Sequence, residues 1–103
     1  MPRISLAVAA LVVATPAFAQ MPGNAERGGE LAETWCSSCH LVTAEGTATD
    51  AAPPFHSIAI APDLSDEGIR AWLIDPHGNM PVVDLSEDEI RDIVAYMHEL
   101  RGE

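Results

Sequence analysis

Cys36, Cys39 and His40 are the residues whose types and spacing could do chemistry, in the run Cys36-Ser37-Ser38-Cys39-His40. On a helical turn, positions i, i+3 and i+4 share one face, so two thiols and an imidazole converge there. That spacing fixes a c-type haem: the cysteines form thioethers to two vinyl groups and the histidine ligates the iron. Two cysteines at this spacing also serve as a thioredoxin-like dithiol, as half of a zinc site or as a structural disulfide. The dithiol wants a βαβ context, and nothing here alternates with period two for long enough to argue a strand. A zinc site wants a second ligand pair at short spacing, which His56, His77 and His98 supply only loosely.

Three helices can be placed to hold the motif. The first runs from an Asn24 cap to the cysteines, with Ala25, Gly28, Leu31, Ala32 and Trp35 on one arc. A mid-helix glycine costs roughly 1 kcal/mol against alanine, so Gly28 is expected where another helix comes close. A middle helix opens at Ser65, with Leu64 and Ile69 at staple spacing and Ile69, Trp72 and Leu73 turned inward. It stops near Asp75 because Pro76 follows. In the last, Ser86 with Glu89 forms a capping box, Leu85 staples onto Ile90, and Ile90, Ile93, Val94, Met97 and Leu100 line one face with Tyr96 at its edge. Asp63-Leu64-Ser65-Asp66-Glu67-Gly68-Ile69-Arg70 and Asp84-Leu85-Ser86-Glu87-Asp88-Glu89-Ile90-Arg91 are the same helix-start chemistry used twice, too few copies for a stacked array. Residues 41–54 and 75–84 are loops rich in turn residues.

Arg3 is the only charged side chain before Glu26, residues 4–14 are apolar, and Ala17-Phe18-Ala19 is a small-residue cleavage signal. Together they read as a secretory peptide over residues 1–19, leaving Gln20 first in a single mature domain of residues 20–103. The apolar run is about half of the roughly 20 residues a spanning helix needs, so a retained membrane anchor is the weaker alternative. Export, to the periplasm or beyond, suits a haem attached outside the cytoplasm. The chain has 5 arginines, no lysine and 16 acids, a formal charge of −11. Removing Arg3 takes this to −12. Nucleic acid is excluded as a partner because it needs a basic footprint. The acidity serves solubility or docking on a basic redox partner.

With its signal peptide, its attachment motif near the start of the mature region, Ala52-Pro53-Pro54-Phe55, a late Met80-Pro81 and an aromatic-bearing last helix, the chain resembles a small monohaem class I cytochrome c. The similarity covers essentially all of residues 20–103. It implies an all-α domain of three to five short helices around one covalent haem, with Gly28 and Tyr96 where the first and last helices cross. It implies Met80 as the second axial ligand, although by itself that methionine is equally core filler. His77, in the same loop, is the rival and would give bis-histidine ligation; Met21 and Met97 are poorer candidates, and His56 and His98 face solvent or are half-buried.

In such proteins a proline carbonyl accepts the other ring proton of the iron-bound histidine, a role for Pro53 or Pro54, or for Ala52 if the loop register shifts. Phe55 and Ile58 would pack on the haem edge, although two apolar residues three apart are more often ordinary core, and the Trp72 indole would donate to a propionate or, equally, be a buried aromatic with another acceptor. The implied function is that of a soluble one-electron carrier, not an enzyme, because His40 and Met80 together leave no open iron site. A haem-c subunit of a larger dehydrogenase or reductase, and a haem enzyme or gas sensor with a labile sixth ligand, are the alternatives.

Overall fold

In the computed structural model, which describes residues 1–13, 23–76 and 78–103, the chain forms four helices and, among those residues, no strand. They are α1 (Ala25–Trp35), α2 (Phe55–Ala59), α3 (Asp66–Ile74) and α4 (Glu87–Leu100). Three start at the expected caps. The Asn24 side chain accepts from the Arg27 N–H at 3.0 Å, the Ser65 hydroxyl from Gly68 at 3.1 Å and the Ser86 hydroxyl from Glu89 at 3.2 Å. Each satisfies one of the four donors a helix start leaves open. The twin octets thus open α3 and α4, and each buries its isoleucine, Ile69 and Ile90. Residues 1–13 have no regular structure and expose their apolar side chains. The cleavage signal Ala17-Phe18-Ala19, Gln20, Met21 and His77 lie outside the described residues. No described helix is long and apolar enough to cross a membrane.

The fourth helix, α2, follows Pro54 where sequence periodicity gives no helix. It has only five residues, too few for a 3.6-residue pattern to show. It starts as proline chemistry allows: Pro54 is extended and the Phe55 N–H, needing a partner outside the helix, donates to the Leu41 carbonyl at 2.9 Å.

α1, α2 and α3 each pack on α4, and among the described residues no two of those three lie backbone to backbone. The core gathers Ala32 of α1, Phe55 and Ala59 of α2, Ile69 of α3 and Met97 of α4, with Cys36 and Val42 from the connection after α1. The arc expected on α1 is narrower than its spacing suggested. Gly28 and Ala32 are buried, whereas Trp35 is 58% exposed. Trp72, expected to turn inward, is 43% exposed.

Where α1 crosses α4 the two backbones touch. A Cβ on Gly28 would lie 1.9 Å from the Asp92 carbonyl oxygen, so no side chain fits there. The Tyr96 ring covers the neighbouring Gly29, where a Cβ would stand 3.1 Å from ring carbon. Asp92 itself is buried and its Oδ1 accepts the Asn24 N–H at 2.7 Å, with Arg27 Nη1 at 3.9 Å from Oδ2. An acid on the inner face of α4 thus satisfies a backbone donor at the start of α1.

Gly28→Ala should therefore separate the helices and cost at least about 2 kcal/mol of stability, at the upper end of overpacking penalties. Gly29→Ala should cost less, since a ring can shift where a carbonyl cannot. Urea unfolding of both variants checks this; equal costs would show that the crossing has slack.

Candidate functional site

Cys36 is the residue after α1, and its N–H still donates to the Ala32 carbonyl at 2.8 Å, so α1 carries straight into the motif. The Cys39 and His40 N–H groups both return to the Cys36 carbonyl, at 3.2 and 2.9 Å. This turn places the two sulfurs and the imidazole as i, i+3 and i+4 neighbours. Cys36 is buried, Cys39 is exposed and they are not joined to one another. Burial pushes the Cys36 thiol above its ordinary pKa, because the thiolate would lose its hydration.

His40 is oriented by the loop that follows. Its Nδ1 lies 2.6 Å from the Pro53 carbonyl oxygen, a hydrogen bond that places the proton on Nδ1 and leaves the Nε2 lone pair to act as a ligand. Phe55 stands edge-on to the imidazole, ring centroids 5.3 Å apart and planes at 66°. The 41–54 loop is pinned at two further points. Thr49 donates to the Cys39 carbonyl, and the Tyr96 hydroxyl donates from α4 to the Val42 carbonyl. Burial, then Glu99 and Glu33, raises the pKa of that phenol, which keeps it a donor.

Beside this turn lies a cleft of about 550 Å³, bounded by Trp35 and the motif on one side, Ala51 to Pro53 on the second and Gly78 to Pro81 with Val83 on the third. A smaller cavity of about 80 Å³ continues inward between Phe55 and Ile58 of α2, Ile69, Trp72 and Leu73 of α3, and Met97. Four residues line both: Cys36, His40, Pro53 and Met80. Gly78 carries the chain round at φ +62, a left-handed conformation that favours glycine, and half-buried Met80 follows two residues later.

The volume lies in the range of cofactor pockets, and among the described residues none lining either cavity bears a formal charge with His40 neutral. These residues fit a flat apolar macrocycle: two thiols at the rim, one imidazole with a free Nε2, one thioether, and aliphatic and aromatic walls. Pro53, Phe55, Trp72 and Met80, far apart in the chain, are thus brought to the motif. Sequence reasoning missed Trp35 as a cleft residue, Thr49 and Val42 as loop ties, and Asp92 as the carboxylate holding α1. A readable signal existed for Asp92 alone: it stands four residues before Tyr96 on the column of α4 that faces the glycines of α1.

Comparison with known proteins agrees with this geometry. The sequence family described as cytochrome c oxidase, cbb3-type, subunit III, matches residues 23–97. The chain is 43% identical over 93 residues to cytochrome c-552 of Bradyrhizobium diazoefficiens, an alignment covering 88% of each chain. No solved structure matches.

Because Phe55 is 3% exposed and supports both the imidazole and the core, Phe55→Ala should cost about 3–5 kcal/mol in urea unfolding of the haem-loaded protein. Ser37→Ala, on the exposed side of the motif, should stay within about 0.5 kcal/mol. Similar small losses for both would mean that Phe55 is not part of the supporting wall.

Proposed function

This chain belongs to the cytochrome c family, carries covalently bound haem c and transfers electrons, and from that premise we propose that it is a soluble, exported one-electron carrier with His40 and Met80 as axial ligands. The observation that carries the reading is the pairing of His40, its Nδ1 fixed on Pro53, with Met80 on the same two cavities. Haem iron supplies the chemistry, a one-electron change between ferric and ferrous states.

The protein's part is to hold and to shield. Cys36 and Cys39 would supply the thioether links, and the Pro53 carbonyl holds the imidazole's tautomer and orientation. Met80, as a thioether ligand, favours the ferrous state and raises the potential relative to bis-histidine ligation through His77. Phe55, Ile58, Ile69 and Leu73 would exclude water from the haem's inner edge, and the Trp72 indole would donate to a propionate. Held by both His40 and Met80, the iron would have no position open to substrate. Residues 1–19 serve as the export signal, cleaved after Ala19.

Met80→Ala should remove the weak sulfur-to-iron band near the red end of the ferric spectrum and lower the potential. His77→Ala should leave the band in place. The reverse outcome would assign the sixth ligand to His77 and sink the reading.

The redox partner is a protein with a basic docking surface, as the excess of 16 acids over 5 arginines supports. Opposite charges steer encounter over the screening length, which falls from about 30 Å at 0.01 M salt to about 10 Å at 0.1 M. Stopped-flow electron transfer with the physiological partner should therefore slow as salt rises. Rates that stay flat or rise would leave the acids a role in solubility only.

A further inference from the structure

His98, in the last turn of α4, is gripped from two sides. Its Nε2 lies 2.8 Å from each carboxylate oxygen of Asp66, the first residue of α3, and its Nδ1 meets Oε2 of Glu103. Glu103 reaches the ring because the chain reverses at Gly102, φ +94. There the Gly102 N–H donates to the Glu99 carbonyl and the Glu103 N–H to the His98 carbonyl, each at 3.0 Å. This pair of bonds is the Schellman ending, which needs a left-handed residue at that position.

A neutral imidazole has one donor and one acceptor nitrogen, so one carboxylate would face a lone pair. Only the imidazolium donates to both. Among the described residues, a further charged group at the cluster is Arg101. Its Nε donates to the Ala59 carbonyl at 2.8 Å and its Nη1 lies 3.5 Å from Glu103, so it shares that carboxylate while held to the end of α2. The negative end of the α4 dipole adds to the preference for a cation. In agreement, His98 titrates above its ordinary value: the hydrogen bond with Asp66 raises it most, burial opposes, and Glu103 raises it further.

We propose that His98 is a proton-operated latch: as imidazolium it fastens the first turn of α3 to the end of α4, and its deprotonation loosens α3, the wall of the inner cavity. The wall consists of Ile69, Trp72 and Leu73, and among the described residues its other ionic tie to α4 is the exposed Arg70–Glu87 pair. Because the folded pKa is raised, the latch's contribution is complete below the unfolded imidazole value of about 6.5 and is lost as pH rises through the folded value.

The test is an NMR titration of the reduced haem-loaded protein, with amide-exchange protection factors of α3 measured over the same pH range. The His98 ring should titrate above about 6.5, and both Asp66→Asn and Glu103→Gln should lower that value. For each unit by which it exceeds about 6.5, protection of α3 should fall about tenfold across the titration. In His98→Gln the protection should not vary with pH; should that variant fail to fold, the two carboxylate variants carry the test. A His98 ring that titrates at or below about 6.5, or α3 protection that stays constant while His98 loses its proton, would overturn the latch.

Discussion

The rest of the structure depends on the contact between the Gly28 backbone in α1 and the Asp92–Ile93 peptide in α4. With no side chain between them, the helices have one allowed separation, and the Asp92 carboxylate on the Asn24 N–H ties the start of α1 to α4. α1 runs without a break into Cys36, so the direction in which the motif presents its sulfurs and imidazole is set at this crossing, two turns upstream. Tyr96 extends the same control to the following loop through the Val42 carbonyl, and that loop carries Pro53 to His40.

A second feature follows from using α4 as a common support. Among the described residues the α1, α2 and α3 backbones approach α4 but not one another, and side chains of all three line the two cavities and the shared core between them. A domain of this size buries a marginal share of its surface unaided. With haem held as proposed, the macrocycle would add apolar surface to the core beside Phe55, Ile69 and Met97. Stability and cofactor binding are therefore the same packing problem, and the walls of the site double as the hydrophobic core.

Charge is segregated accordingly. The chain is strongly acidic, yet no carboxylate lines either cavity, because an ionised group in a low-dielectric site needs a partner there. Acids do their work outside it, where they occupy the first turns of α1, α3 and α4, pair with arginine and hold His98, and where a long-range field can act on a partner. The buried exception, Asp92, lies at the α1–α4 crossing and not in the cleft.

The attachment motif, three of the four helix starts and the apolar face of α4 were legible in the sequence because each rests on chemistry within a few residues. Spacing on one turn brings two cysteines and a histidine together, and a serine or asparagine caps the backbone three positions on. Only the fold decided what acts across distance. It selected the Pro53 carbonyl over its neighbours for His40, made Trp35 a cleft residue, folded the five-residue α2 and buried Asp92. It also made His98, which the sequence leaves as an ordinary half-exposed imidazole, the meeting point of α3 and α4. Local periodicity reports which face of a helix is apolar, but not which carbonyl or carboxylate another segment brings to it. That depends on the separation of backbones at a crossing, and here the missing side chain of Gly28 sets it.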